Sequence, residues 1–145
     1  MTKEAVIFDL DGTLSDRRHR LHFVEQSKDW KSFFEKMTDD PPVKSVISEL
    51  FKYHDLDYKI IILSGRPEDY RKQTIDWLFR NLIFPDMYEL FMRESKNYET
   101  DVDLKERIYE SKLKSYNIVK VFEDQKKLID MWEEKGLSVV NCSLD

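Results

Sequence analysis

The sequence predicts an α/β fold, a Rossmann-like parallel five-stranded sheet with helices on both faces. Two observations lead to this prediction. Five short segments rich in β-branched and aromatic residues alternate with longer segments whose apolar residues recur every three or four positions. Several of the short segments are apolar throughout, as strands buried on both faces of a parallel sheet are. A chain of 145 residues has the size of one domain, so we expect a single domain over residues 1–145.

The first strand is predicted from the apolar run Val6 to Phe8, which stops on two aspartates, Asp9 and Asp11. Gly12 supplies the backbone freedom that a turn needs at this point. In open α/β sheets ligands bind beyond the carboxyl ends of the strands. The two aspartates therefore fall where the chemistry of such folds is usually done.

Residues 15–42 are predicted to form a short helical insert after this strand. The insert begins with a charged loop, in which we interpret Arg17 and Arg18 as part of a solvated face. Four apolar residues then follow at i, i+3, i+4 and i+7, on one face of a helix: Trp30, Phe33, Phe34 and Met37. Such a stripe is more typical of a core than of a platform on which nucleic-acid bases stack.

The middle of the chain is predicted to add a helix, a strand, a second helix and a short strand. Pro42 can occupy the first turn of the first of these helices. The second strand, Tyr58 to Leu63, ends on the polar residues Ser64, Gly65 and Arg66, and the third, Tyr88 to Met92, ends at Arg93. The inner face of the helix between these two strands is predicted to consist of Tyr70, Thr74, Trp77, Leu78 and Leu82.

The last third of the chain is predicted to complete the sheet. A helix over residues 101–116 carries Lys105 in its first turns. A fourth strand over residues 119–122 ends on Glu123 and Asp124. A last helix stops at Gly136, as helices often do at glycine, and leads into a fifth strand over residues 137–140.

The composition narrows the class of protein. The net charge of −5 argues against binding an extended stretch of nucleic acid, because that mode needs many phosphate contacts. Cys142 is the only cysteine, and the first strand begins without a preceding apolar segment, so we expect a cytoplasmic protein with no membrane segment. With only three glycines, neither GxGxxG nor GxxxxGK[ST] is present, which excludes a kinase of the P-loop type.

The polar residues at the ends of the predicted strands, together with Lys105, supply the groups that a phosphoryl-transfer site needs: a nucleophile, an acid/base, cation ligands and donors to the phosphate. Asp9 can attack phosphorus, and Asp11 can protonate the leaving oxygen and later take a proton from water. Asp9, Asp124 and a backbone carbonyl at Asp11 can bind Mg²⁺, with Glu123 beside them. Ser64 and Lys105 can stabilise the transferring group, while Thr13 helps to fix Asp11.

The motif D-L-D-G-T at residues 9–13 resembles the DxDGT signature of the haloacid dehalogenase superfamily of aspartyl phosphatases. Ser64, Lys105 and the pair Glu123-Asp124 are similar to the second, third and fourth motifs of that superfamily, so the resemblance covers the whole chain. It implies a HAD-like fold with a minimal cap or none. It also implies an aspartyl-phosphate mechanism that uses Mg²⁺.

A closer resemblance is to the 3′-phosphatase domain of bacteriophage polynucleotide kinase-phosphatase. The residues that carry it are Ser64-Gly65-Arg66, Arg93-Glu94, Asp101 four residues ahead of Lys105, and Glu123-Asp124 followed by Met131-Trp132 and Gly136. Arg20 also stands at the spacing from Asp9 at which that domain has a functional arginine. The resemblance implies that phosphate or substrate is bound or positioned by Thr13, Ser64, Gly65, Arg66, Arg20, Arg93 and Asp101.

The expected function is a Mg²⁺-dependent phosphomonoesterase whose substrate is a nucleotide or a nucleic-acid 3′-phosphate end. Glu99 and Thr100 replace basic residues of the related domain, which favours a terminal or small phosphate over an extended duplex. The alternatives are a 5′ or 3′ nucleoside monophosphatase, a general small-molecule phosphatase and, from another class, an inactive phosphate-binding module. The sequence leaves the oligomeric state open.

Overall fold

A five-stranded parallel sheet forms the centre of the computed structural model, which describes residues 2–144. The strands are β1 (Glu4–Phe8), β2 (Lys59–Pro67), β3 (Glu89–Arg93), β4 (Asn117–Glu123) and β5 (Val139–Asn141). Their order is β3-β2-β1-β4-β5, so β1 is the central strand. The predicted fold class is confirmed. The predicted domain limits at Met1 and Asp145 lie outside the described residues.

Six α-helices and several shorter turns connect the strands within residues 2–144. The helices are α1 (His22–Ser27), α2 (Trp30–Glu35), α3 (Lys44–Asp55), α4 (Arg71–Arg80), α5 (Asp101–Ile108) and α6 (Lys126–Glu134). Turns of 3₁₀ type cover Arg18–Arg20, Lys36–Asp39, Glu68–Tyr70 and Pro85–Met87, and a π-helical turn, Tyr109–Leu113, extends α5. Among the described helices, none has the length and apolarity that a membrane span requires.

The core lies on both faces of the sheet because the side chains of β1 alternate between them. Val6 and Phe8 pack on one face with residues of α3 and α4, whereas Ala5 and Ile7 pack on the other with residues of α5 and α6. All four of these β1 side chains are buried. The central strand is therefore packed between two layers of helices.

The strand register brings the predicted polar residues to one edge. Phe8 is level with Ile62 of β2 and with Phe122 of β4. The residues that follow these positions, Asp9 and Glu123 among them, consequently meet at the carboxyl edge of the sheet. This edge carries the candidate active site.

Apart from shifts in the limits of several helices and strands, three differences from the local predictions concern strand pairing or burial. Strand β2 continues past Leu63 to Pro67, because a register shift lets it pair again with the end of β3. Leu82 was predicted to face inward, but it is 64% exposed because α4 ends at Arg80 and the chain turns with φ of +65° at Leu82. Trp30 is likewise 56% exposed instead of contributing to the core.

Candidate active site

Asp9 is held in place by two side chains, one on each carboxylate oxygen. Lys105 Nζ donates to Oδ1 at 2.7 Å, and the hydroxyl of Thr13 donates to Oδ2 at 2.9 Å. The sequence analysis expected Thr13 to fix Asp11. The turn that begins at Leu10 instead folds Thr13 back toward Asp9, with the Thr13 amide donating to the Leu10 carbonyl at 3.1 Å.

Lys105 supplies a buried positive charge to this edge of the sheet. Its amine also donates to Glu123 Oε2 at 3.1 Å, and its side chain is 2% exposed. Burial alone lowers the pKa of Lys105, but the charges of Asp9 and Glu123 outweigh burial and raise it well above its ordinary value. The amine is therefore charged at neutral pH.

Asp11 lies in different surroundings, between two arginines whose side chains are fully buried. Arg66 donates to it from Nη2 at 2.7 Å and from Nε at 3.0 Å, and Arg20 Nη2 donates at 2.5 Å. Burial raises the pKa of Asp11, but the two guanidinium groups outweigh burial and hold it well below its usual range. Asp11 is thus ionised in the substrate-free protein.

Asp40 is a buried residue of the site that the sequence analysis missed. Its carboxylate accepts hydrogen bonds from Arg20 Nε at 2.8 Å and Nη2 at 2.7 Å, and His19 Nε2 lies 2.7 Å from it. The indole of Trp77 donates to its backbone carbonyl at 2.9 Å. In the sequence Asp40 stands directly before two prolines, Pro41 and Pro42. No local pattern distinguishes it from exposed Asp39.

Replacing Asp40 with asparagine should misplace Arg20 and, through it, Asp11. Because small misplacements of catalytic groups are costly, we expect kcat to fall by about 10- to 100-fold. We expect KM to change little. Asp40→Glu, which keeps the carboxylate, should retain part of the kcat that Asp40→Asn loses. Steady-state kinetics over a range of pH provide the measurement, with the exposed neighbour Asp39→Asn as control. Equal kinetics for Asp40→Asn and Asp39→Asn would contradict a positioning role.

A cluster of three acidic residues lies on the β4 side of Asp9. Oxygen atoms of Asp9, Glu123 and Asp124 all lie within 4.8 Å of one another. Asp124 Oδ1 is buried and has no hydrogen-bond partner among residues 2–144. Gly12, at φ of +87°, allows this approach, because a Cβ at that position would overlap Asp124 Oδ2.

The electrostatics of this cluster fit a divalent cation. Burial, reinforced by the charge of Asp9, raises the pKa of Asp124 to about 7 and raises that of Glu123 well above its ordinary value. Oxygen ligands of this kind suit Mg²⁺. Arg17 Nη2 lies 3.1 Å from Asp124 Oδ2, so Arg17 adjoins the cluster and is not simply part of a solvated face as predicted.

Arg93 and Asp101 lie on the β2–β3 side of the site and contact Gly65. Arg93 donates to the Gly65 carbonyl at 2.9 Å, to the Glu99 carbonyl at 2.6 Å and to Asp101 Oδ1 at 2.6 Å. A Cβ at Gly65 would lie 2.7 Å from Asp101 Oδ1, so only glycine permits this packing. Ser64 is buried, and its hydroxyl accepts a hydrogen bond from the Arg66 amide at 3.0 Å.

The predicted site residues thus form three connected groups. Asp9 is grouped with Thr13, Lys105, Glu123 and Asp124, whereas Asp11 is grouped with Arg20 and Arg66. The third group, Gly65 with Arg93 and Asp101, organises the loop that follows β3. Two carboxylates in such different surroundings can divide nucleophilic attack from proton transfer.

Comparison with known proteins agrees with this geometry. A family profile described as the polynucleotide kinase PNKP phosphatase domain matches residues 3–144. The chain belongs to the family of PNKP phosphatase domains. It is therefore a phosphatase of the haloacid dehalogenase type, and the predicted resemblance is confirmed.

Solved structures also resemble this PNKP phosphatase domain. Chains in two structures of the Pnkp1/Rnl/Hen1 complex, one described as an RNA repair complex, are 27% identical to it, with TM-scores of 0.80 and 0.81. The matches cover 97% of this chain but only 46% and 42% of those chains, so this chain spans less than half of their length. The class C acid phosphatase from Bacillus anthracis with tungstate bound, at 18% identity and a TM-score of 0.70, shares the fold over 97% of this chain and 66% of its own. A search of curated proteins found no match.

Proposed function

We propose that this PNKP phosphatase domain is a Mg²⁺-dependent phosphomonoesterase that removes 3′-phosphates from nucleic-acid ends through an aspartyl phosphate. The observation that carries the proposal is the contrast between the two aspartates. Asp9 is oriented by Lys105 and Thr13 at the carboxyl edge of the sheet, while Asp11 is held by two buried arginines.

In the first step, a carboxylate oxygen of Asp9 attacks phosphorus while the bond from phosphorus to the 3′ oxygen breaks. Asp11 gives a proton to the departing oxygen, which leaves as a hydroxyl group. The negative charge of the bound phosphate opposes the charges of Arg20 and Arg66. The bound phosphate therefore raises the pKa of Asp11 from its depressed value in the free protein. The Asp11 carboxyl group can then carry the proton that it gives to the departing oxygen.

In the second step, a water molecule attacks the phosphorus of the aspartyl phosphate. Asp11, now ionised, accepts a proton from this water, and the bond between phosphorus and Asp9 breaks. Inorganic phosphate is released and the Asp9 carboxylate is regenerated. Throughout, the charged amine of Lys105 offsets the negative charge that gathers around Asp9.

Asp9, Asp124 and the backbone carbonyl of Asp11 are the proposed Mg²⁺ ligands, with Glu123 beside them. When bound, Mg²⁺ supplies charge that lowers the repulsion between the carboxylates and the phosphate. The unpartnered oxygen of Asp124 and the raised pKa values in the cluster support this assignment.

Magnesium should stabilise the folded protein, and more strongly at pH 8 than at pH 5. At pH 5 Asp124, with its pKa of about 7, holds a proton that the unfolded chain lacks, and a cation must displace it. When the Mg²⁺ concentration is 100 times the dissociation constant of Mg²⁺, we expect Tm at pH 8 to rise by about 5–10 °C.

Thermal unfolding with and without MgCl₂ at the two pH values measures this effect. Asp124→Asn should abolish most of the rise, whereas the exposed Asp130→Asn should keep it. An unchanged rise in Asp124→Asn would rule out Asp124 as a ligand.

Two features favour a nucleoside monophosphate as the second candidate substrate. The net charge is −5, and the loop after β3 carries Glu94 and Glu99, both paired with Arg107.

A substrate panel separates the candidates. Phosphate release with Mg²⁺ is measured from 3′-phosphorylated oligonucleotides, nucleoside 3′- and 5′-monophosphates, and sugar phosphates. The proposal predicts the highest kcat/KM for the 3′-phosphorylated oligonucleotides, and equal or higher values for any other class would overturn it.

A further inference from the structure

Three aromatic side chains form an exposed surface beside the phosphate site. Trp30 and Phe34 project from α2, and Tyr70 precedes α4. The rings of Trp30 and Phe34 are stacked, with centroids 6.0 Å apart and an angle of 25° between planes, and those of Phe34 and Tyr70 are 5.2 Å apart. Trp30 is 56% exposed, and the other two are partly exposed. We call these three residues the aromatic platform.

The platform is joined to Asp11 from one side through Arg20. The guanidinium group of Arg20 donates to Asp11 and lies 4.3 Å from the centroid of the Phe33 ring. The Phe33 ring in turn lies 5.2 Å from that of Phe34. The side chains of Arg20 and Phe33 therefore form a chain of contacts that links Asp11 to the platform.

A second chain of contacts reaches the platform through Arg66. Arg66 Nη1 donates to the hydroxyl of Thr74 at 3.0 Å, and that hydroxyl donates to the Tyr70 carbonyl at 2.8 Å. The segment that contains α2 follows the carboxyl end of β1, and the turn that contains Tyr70 follows the carboxyl end of β2, which is the side of the sheet where Asp9 and Asp11 lie. The platform and the catalytic carboxylates thus occupy the same end of the molecule.

We propose that the aromatic platform binds the nucleobase of the nucleotide that carries the scissile phosphate, by stacking against Trp30 and Phe34. This inference rests on the proposed function, whose substrate it makes more specific. Exposed aromatic side chains near a phosphate site are what proteins use to stack unpaired bases. Because every base offers a π-face, the platform selects a nucleotide end over a sugar phosphate without selecting one base.

Fluorescence tests the contact directly, because Trp30 is the exposed member of the three tryptophans. Trp77 and Trp132 are 1% and 0% exposed. In the inactive background Asp9→Asn, adenosine 3′-monophosphate with MgCl₂ should quench tryptophan emission saturably, whereas inorganic phosphate should not. Adding Trp30→Phe should remove the quenching. Absence of quenching at concentrations that saturate the site, or quenching that persists in Trp30→Phe, would overturn the proposal.

Kinetics test the same contact during turnover. Trp30→Ala and Phe34→Ala should each raise KM at least about five-fold for an oligonucleotide with a normal 3′-phosphorylated end. KM for the same oligonucleotide with an abasic 3′-phosphorylated end, and kcat for both, should stay unchanged. Trp30→Phe should retain most of the affinity. The exposed Phe79→Ala is the control and should affect neither substrate.

The outcomes separate this inference from the proposed function. Suppose that the wild-type protein hydrolyses the normal and the abasic oligonucleotide, and that Trp30→Ala raises KM equally for the two. The proposed role of the platform is then wrong, and the phosphatase assignment stands. If the wild type hydrolyses neither, the proposed function fails, and the quenching experiment still decides whether a nucleotide binds. Loss of a dimer in Trp30→Ala, seen by size-exclusion chromatography, together with absent quenching would assign the surface to a second copy of the chain instead.

Discussion

Replacing Asp9 with asparagine should reduce phosphate release by on the order of 10⁴-fold or more, because the amide cannot attack phosphorus as the carboxylate does. The shape of the side chain is kept, and Thr13 can still donate to the remaining oxygen. Lys105 also keeps its pairing with Glu123. We therefore expect Asp9→Asn to stay folded, with a Tm within a few degrees of the wild type.

Trapping of the covalent intermediate makes this test specific. Acid quenching during turnover of a substrate with labelled phosphate should leave label on the wild-type protein and none on Asp9→Asn. The exposed Asp86→Asn serves as the matched control and should behave as wild type. Appreciable turnover or labelling in Asp9→Asn would remove Asp9 as the nucleophile.

The sequence predicts the fold and the position of the candidate active site because both depend on strong local patterns. The apolar run before Asp9 and the run before Ser64 fix buried parallel strands, and parallel strands bring their carboxyl ends together. The same rule predicts that the acidic pair at the end of β4, Glu123 and Asp124, lies beside these two strand ends. Asp9, Lys105 and Glu123 consequently meet as predicted, although they are separated by up to 114 positions along the chain.

What the sequence does not predict depends on contacts between distant segments that carry no local signal. Asp40 is buried because Arg20 and the Trp77 indole meet it, and neither contact has a sequence pattern. Thr13 turns toward Asp9 because of a single tight turn. The helical spacing of Trp30 predicts which face of α2 it occupies, but not that the neighbouring fold leaves that part of the face uncovered.

Replacing Asp11 with asparagine should also remove nearly all turnover of a 3′-phosphorylated oligonucleotide, because the asparagine side chain can neither give nor accept the required proton. The loss has two parts. Without a proton donor the alkoxide of the sugar leaves slowly, and without a base the water that attacks the aspartyl phosphate is not activated. If Asp11 only positioned the phosphate, its replacement would slow substrates with good and poor leaving groups alike. Substrates that differ in their leaving group therefore distinguish a role in proton transfer from a role in positioning.

An aryl phosphate isolates the second part of the loss. p-Nitrophenolate is a stable anion at neutral pH and departs without a proton donor, so Asp11→Asn should still form the aspartyl phosphate from p-nitrophenyl phosphate. Rapid mixing should then show a burst of about one p-nitrophenolate per active site followed by slow turnover, since hydrolysis of the intermediate still lacks its base. Asp9→Asn should show no burst. A steady rate without a burst in Asp11→Asn, equally reduced for aryl and nucleotide substrates, would assign proton transfer to another group and leave Asp11 as the anchor for Arg20 and Arg66.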